Sequence, residues 1–306
     1  LDTLIQHLVN GLSLGSIYAL IALGYTLVYG ILRLINFAHG ELFMLAAYAA
    51  LGAAALLGLG AAPGTPLLAS DWGGFAVMLA AAMLVAALAG WTVERFAYRP
   101  LRGQPRLNLL ITAVGVSLLL QNAVQAWNPN PLRFPELIVD RPALQLGGAQ
   151  VGSLDLAVLA TTLLLLLALE YWVHGTRQGR AMRALSHSHE TASLLGIPVN
   201  RVIAITFAVG SALAAAAAVL YCVKYPKVDP LMGLLPGLKA FVAAVLGGIG
   251  NLRGAVAGGL ILGMAETLVS AYGASTWRDA LAFGLLIVIL LFKPAGLFGR
   301  YEREKV

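Results

Sequence analysis

The sequence predicts an all-α integral membrane protein, a polytopic bundle of about eight transmembrane spans. Three observations carry this. Only 11% of the 306 residues are charged and 59% are hydrophobic, with a mean hydropathy of +0.84, whereas a soluble domain carries about a quarter charged residues. Apolar runs long enough to cross a bilayer follow one another along the whole chain. The basic residues fall in short segments between those runs, the pattern that orients a protein in a membrane and not one that binds nucleic acid.

The first apolar run, Leu8–Leu32, holds no charge and no histidine. It is followed by Leu42–Gly60, Phe75–Val93, Leu107–Trp127, Leu156–Val173 and Val202–Val223. Beyond Pro230 three more runs read as apolar: Gly233–Gly250, Gly254–Tyr272 and Ala280–Phe292. The first and last of these are short, so one of them is expected to be a re-entrant or broken helix. The whole chain, 1–306, reads as a single transmembrane domain.

Orientation follows from the positive charges. Segment 94–106 holds Arg95, Arg99, Arg102 and Arg106; segment 174–201 holds Arg177, Arg180, Arg183 and Arg201; the tail holds Lys293, Arg300, Arg303 and Lys305. These are twelve of the twenty Lys and Arg, which assigns all three segments, and the C-terminus, to the cytoplasm. Segment 61–74 has no Lys or Arg and reads as an outer loop. Segment 128–153, with Pro129, Pro131, Pro135 and Pro142, reads as an ordered outer loop. The side of the N-terminus depends on whether the polar break near Asn36 is a true loop. The first run is too long for the apolar core of a signal peptide and has no basic residues before it, so targeting is expected to reside in the first spans themselves.

Small residues recur at helical spacing: Gly11 with Gly15, Gly254 with Gly258, and Gly259 with Gly263. Such pairs let helix backbones approach closely where lipid supplies no hydrophobic drive between helices. Packing is the simpler reading and a hinge the alternative. The one cysteine, Cys222, excludes an intrachain disulfide and reads as a packing residue. No phosphate-cradling G-x-x-x-x-G-K-[S/T] loop occurs, so any ATP-driven step requires another subunit. No Cys/His cluster with metal spacing and no G-x-S-x-G elbow occur either, and neither a metal site nor a catalytic residue is expected.

Three features hold the chemistry. The stretch 33–42 sets Arg33, Asn36, His39 and Glu41 between two apolar runs. Polar groups at membrane depth persist where they face a cavity or one another. Asn36 is expected to cap the helix that follows, with Glu41 in its first turn. A helix N-terminus inside a bundle also suits a carboxylate. The segment is thus either a discontinuous helix on a solute pathway or an interfacial turn with a buried hydrogen-bond network. Second, Ser186 or Ser188 with Glu190, Gly196 and Pro198 predicts a cytoplasmic helix of about two turns, too short to span. It would present Ala192, Leu194 and Leu195 either to a docked partner or to lipid headgroups. Third, Glu266 is an intramembrane carboxylate, either functional or satisfied by a hydrogen bond in the bundle interior. His187 and His189 are two residues apart and do not share a helix face.

The stretch from Ile35 to Tyr48, Ile-Asn-Phe-Ala-His-Gly-Glu-Leu-Phe-Met-Leu-Ala-Ala-Tyr, resembles the hallmark of the branched-chain amino-acid permeases of ABC importers, in their LivH-like branch. Glu190 to Gly196, Glu-Thr-Ala-Ser-Leu-Leu-Gly, resembles the E-A-A-x-x-x-G loop of importer permeases, with Thr191 in place of its first alanine. Ile197–Arg201 and Gly247–Gly254 also fit, and the likeness runs over essentially the whole chain. It implies a permease that pairs with a second, related permease. Two cytoplasmic ATPases, which carry the ATP and magnesium, would dock on it, and a periplasmic binding protein would deliver the solute. It implies a multi-pass place in a bacterial inner membrane and no cofactor on this chain. Asn36, Phe37, His39, Gly40 and Glu41, with Glu266, would lie on the translocation pathway. Glu190, Ala192, Leu194, Leu195 and Gly196 would form the ATPase-coupling helix within segment 174–201. The implied solute is leucine, isoleucine, valine or a related small molecule, with urea and short amides carried by relatives. The rival reading is an ion-coupled secondary transporter, for which Glu41 and Glu266 are the acids the sequence offers; a docking helix is what such a carrier does not need.

Overall fold

In the computed structural model, residues 2–59, 71–146, 148–273 and 275–299 are described. Most of the outer segment 61–74, together with Arg300, Arg303 and Lys305 of the basic tail, lies outside them.

Among the described residues, eight helical segments are long and apolar enough to cross a membrane. Helix α1 spans Asp2–Leu32 and α2 spans His39–Leu56; the chain between them, residues 33–38, is non-helical, so the polar break is a true loop. Helix α3, Trp72–Val93, begins where the Asp71 carboxylate accepts the Gly74 N–H at 2.7 Å. It continues as a π-helical turn, Glu94–Tyr98, and a short 3-10 turn, Arg99–Leu101. Helix α4 spans Arg106–Trp127. The proline-rich outer segment folds as β1 (Leu132–Arg133) and the antiparallel hairpin β2 (Pro142–Leu146) and β3 (Ala149–Gly152). Then come α5 (Ser153–Gly175), the two short helices α6 (Arg177–His187) and α7 (His189–Leu194), and α8 (Val199–Lys224). Strand β4, Lys227–Val228, pairs antiparallel with β1. Helices α9 (Leu234–Gly247), α10 (Leu252–Tyr272) and α11 (Arg278–Phe292) complete the described chain.

Helix α9 is the short, broken element anticipated between Pro230 and the C-terminus. At 14 residues it rises roughly 21 Å, less than the hydrocarbon thickness. The run containing it is not wholly apolar, because Lys239 lies at its centre. This corrects the sequence reading of Gly233–Gly250.

The centre of the bundle is α1. It packs against α10, α8, α9 and α5, and 89% of its apolar window is buried. Small residues set that closeness. A Cβ on Gly15 would stand 2.8 Å from the Leu260 Cα and 2.9 Å from the Gly259 carbonyl oxygen; one on Gly11 would stand 2.9 Å from the Met264 Cα. Gly259 and Gly263 of α10 face Ala19 and Gly15 in return, while Gly254 and Gly258 abut α9 at Gly247 and Ala243. All three glycine pairs seen in the sequence are therefore close helix crossings. In α8 the run Ala214–Ala218 is fully buried, which brings that helix against α1, α2 and α3. The outer helices differ: α4 has 11% and the α11 segment 6% of its window buried.

Candidate functional site

The break between α1 and α2 positions the first group of side chains. Its carbonyl and amide groups are only partly paired locally: the Asn36 carbonyl accepts the His39 N–H at 3.0 Å, and Ala38 accepts from Glu41 and Leu42, both at 3.1 Å. The Asn36 side chain does not cap α2, contrary to the sequence reading. The residue preceding the helix is Ala38, and it makes no side-chain cap. Asn36 Oδ1 instead accepts the Tyr98 hydroxyl at 2.6 Å, both residues being buried. Tyr98 reaches it from the π-helical turn at the end of α3. A tertiary partner has displaced the local cap, because the buried phenol needs an acceptor and the loop carries one.

His39 lies in the bundle, 1% exposed. Its ring stands 4.6 Å from that of Tyr25 and covers Gly24 of α1, where a Cβ would collide with it. Gly24 is about two turns before the end of α1, so α2 begins roughly 12 Å inside that end. Gly40 meets the start of α9: a Cβ there would stand 2.6 Å from the Gly233 carbonyl oxygen, and one on Gly237 would stand 2.9 Å from the Gly40 Cα. Two helices therefore begin side by side inside the bundle. Each leaves its first N–H groups without an intrahelical partner and carries a partial positive charge at that end. Phe37 is half-buried beside Phe241 of α9, with ring centres 6.4 Å apart. Glu41, 2% exposed in the first turn of α2, accepts a 3.3 Å hydrogen bond from Ser117 of α4. Its Oε2 has no partner among the described residues.

Glu266 belongs to a second cluster, farther along α10. It is fully buried. Tyr18 of α1 donates to its Oε2 at 2.9 Å, and Lys239 of α9 holds its Oε1 at 2.6 Å. Lys239 also reaches Asp279 of α11 at 2.7 Å. One lysine thus ties the broken helix to two neighbours in a low-dielectric interior. The partners that hold Glu266, Tyr18 and Lys239, are not those of the Asn36–Glu41 group, whose side chains meet Tyr98, Tyr25, Phe241 and Ser117. Tyr18, Tyr98, Lys239 and Asp279 escaped the sequence reading. The available signal was Lys239, a lone intramembrane cation that needed a carboxylate.

At the basic end of the bundle, α7 is short, as expected, and Ser188 is its cap, accepting the Thr191 N–H at 3.2 Å. Glu190 is exposed in its first turn. Gly196 ends the segment with φ +77°, the left-handed conformation for which glycine is suited. Leu194 and Leu195 are 88% and 74% exposed. Ala192 is 2% exposed and faces its own bundle, so the sequence reading that it is presented outward is corrected. The short helix packs that face against α6 and α8. Nearby, Arg102 pairs with the buried Glu94 and donates to Asn200 at 2.7 Å, joining the end of α3 to the start of α8. Burial pulls the Arg102 guanidinium pKa below its usual value, and the Glu94 carboxylate opposes that shift.

Residues 7–290 match the family described as the permease component of branched-chain amino acid transport systems. The chain belongs to that family. The permease is 44% identical over 99% of its length to the high-affinity branched-chain amino acid transport system permease protein BraD of Pseudomonas aeruginosa, covering 98% of that protein. It is equally similar, at 44% over 99% of its length, to LivH of Escherichia coli K12, covering 97% of it. A probable LivH of Methanocaldococcus jannaschii is 26% identical over 93% of this chain and 89% of that protein.

Proposed function

We propose that this permease is the membrane-spanning subunit of an ATP-driven importer that moves branched-chain amino acids, or closely related small solutes, by alternating access. The observation that carries the mechanism is the short helix α7, which leaves Leu194 and Leu195 exposed at the basic end of the bundle. Two exposed leucines on a capped helix form an apolar knob for a groove on a partner. In this reading the partner is one of two cytoplasmic ATPases, which hold ATP and magnesium, and Glu190 to Gly196 transmit their closure. Segment 174–201 is then the coupling part of a single transmembrane domain. A second, related permease completes the pore, and a periplasmic binding protein supplies the solute across a bacterial inner membrane. In this reading the 94–106 segment is cytoplasmic, and alternation over the eight long helices, with the short α9 carrying the chain across once more between β4 and the basic end, puts the C-terminus inside and the N-terminus outside. The paired starts of α2 and α9 at Gly40, Gly233 and Gly237 favour a carboxylate-bearing solute, because two helix N-termini point partial positive charge at one depth. An ion-coupled carrier is less well supported: Glu266, one of its two acids, is held by Lys239 and Tyr18.

Reconstitution of the full assembly tests this. Glu190→Lys and Gly196→Pro are expected to lower ATP-driven uptake by about tenfold or more, the size of a lost coupling of 1–3 kcal/mol, while the protein still reaches the membrane and the ATPase still turns over. Normal solute-stimulated ATPase activity together with normal uptake in both variants would remove the coupling role.

A further inference from the structure

The basic end of the bundle encloses a second feature. The last turns of α1, the ends of α5 and α6, the α9–α10 turn and residues 294–299 surround a cavity of about 880 Å³. Arg33, Arg183 and Arg253 line it, with His174 and His187, and the acidic residue among its described lining is Glu170. Its lining reaches Thr26 of α1, which is 2% exposed. The Thr26 hydroxyl has no hydrogen-bond partner among the described residues. Thr92, Thr112, Thr206 and Thr267 of other helices each donate to the carbonyl four residues back, at 2.8–2.9 Å, whereas Thr26, like the buried Thr162 of α5, does not, and of these two it is Thr26 that lines the cavity. Buried hydroxyls generally find a partner, so the Thr26 position suits a ligand acceptor.

The arginines keep capacity for an anion. Arg253 sends two N–H groups to one oxygen of Glu170, at 2.8 and 3.2 Å, and Arg183 donates to the Val173 carbonyl. A guanidinium has five N–H donors in a planar fork, which suits a phosphate oxygen pair. The flanks of the cavity are apolar and uncovered. Helix α5 exposes Leu163, Leu164 and Leu167, and α11 exposes Leu290 and Leu291. Helix α10, tied to α5 through Arg253 and packed on α11, has only 39% of its apolar window buried.

We propose that this cavity binds the phosphate headgroup of an anionic phospholipid. Arg183 and Arg253, with the charge of Arg33, hold the phosphate; the Thr26 hydroxyl donates from the floor; the acyl chains lie along the exposed leucines of α5 and α11. Basic pockets between membrane helices on the cytoplasmic side take headgroups in this way. The site depends on the basic end facing the headgroup layer and is independent of which solute the permease moves.

The full permease, purified and then delipidated in detergent, is offered phosphatidylglycerol or phosphatidylcholine, and the retained lipid is counted by native mass spectrometry. Phosphatidylglycerol is expected to be retained at least about tenfold over phosphatidylcholine, and the Arg183→Gln/Arg253→Gln double variant to lose about tenfold of that retention, each surface cation contributing several-fold. Thr26→Val should lose less than the double variant. Glu170→Gln should retain more anionic lipid than the unaltered protein, a gain that a misfolded variant does not produce. Equal retention of the two lipids, an unaffected double variant, or no gain with Glu170→Gln would overturn the site. Displacement of phosphatidylglycerol by millimolar inorganic phosphate, with phosphate itself retained, would overturn the lipid source.

Discussion

Helices α1 and α11 have equal hydropathy, yet 89% of the apolar window of α1 is buried and 6% of that of the α11 segment. The difference lies in side-chain size and polarity. On α1, Gly11, Ser13, Gly15, Ser16, Ala19, Ala22 and Gly24 are all buried, and its glycines let α10 come to backbone contact. On α11 the run Gly284–Phe292 is dominated by leucine, isoleucine and valine, and Ala282 is its buried residue. In lipid a leucine gains nothing by leaving the hydrocarbon, so it is the close approach allowed by small residues and the pairing of polar ones that draws α1 inside, and its large side chains such as Ile17, Leu20 and Leu23 are buried with it. The uncovered faces of α4, α5 and α11 are thus the ones left open to lipid.

The largest expected effect comes from the charge that joins the two helices' neighbourhoods. Lys239→Met leaves Glu266 buried without its cation and should cost about 3–5 kcal/mol. Thermal unfolding in detergent measures it, and a loss under about 1 kcal/mol would mean that Glu266 is protonated or otherwise satisfied. Next is the glycine seam. Gly15→Leu forces the backbone of α10 away and should cost about 3 kcal/mol, whereas Gly284→Leu on α11, where a Cβ meets nothing within 4 Å, should be neutral. Equal effects at the two sites would break the comparison. Leu23→Ala, at a fully buried position, should lose about 2 kcal/mol, mainly through the cavity it leaves. Leu291→Ala, at a position 73% exposed, should change stability by less than about 0.5 kcal/mol. If Leu291→Ala instead splits the assembly on size-exclusion chromatography, that face of α11 is a subunit contact and not a lipid one. Of the substitutions expected to destabilise, the mildest is Tyr98→Phe, which removes the hydroxyl from Asn36 and should cost about 1 kcal/mol.

Much of this was legible along the chain because it depends on neighbours in sequence. The number of spans follows from runs of apolar residues, and the short helix at Ser188–Gly196 follows from a cap, a first-turn acid and a stop glycine. Glycine pairs at helical spacing announced close crossings without naming which helices meet. The site was read less completely. Asn36 looked like a cap because caps are local, and the competing donor, Tyr98, comes from another helix. Glu266 was visible as a buried acid, but its partners come from α1 and α9, and Asp279 joins through Lys239. Ala192 looked outward on spacing alone; packing of α7 on α6 and α8 turned it inward.

By itself, then, the sequence determined that this protein spans a membrane about eight times, where its basic loops lie, and that a short capped helix stands among them. Those properties are sums over contiguous residues in contact with a uniform solvent. Only the tertiary structure decided that α1 lies inside and α11 outside, that α2 and α9 start together at Gly40 and Gly233, and that Lys239 bridges Glu266 and Asp279. Lipid is indifferent to which apolar face it touches, so the choice falls to close packing of small residues and to the pairing of buried charges, and both require helices distant in the chain to meet.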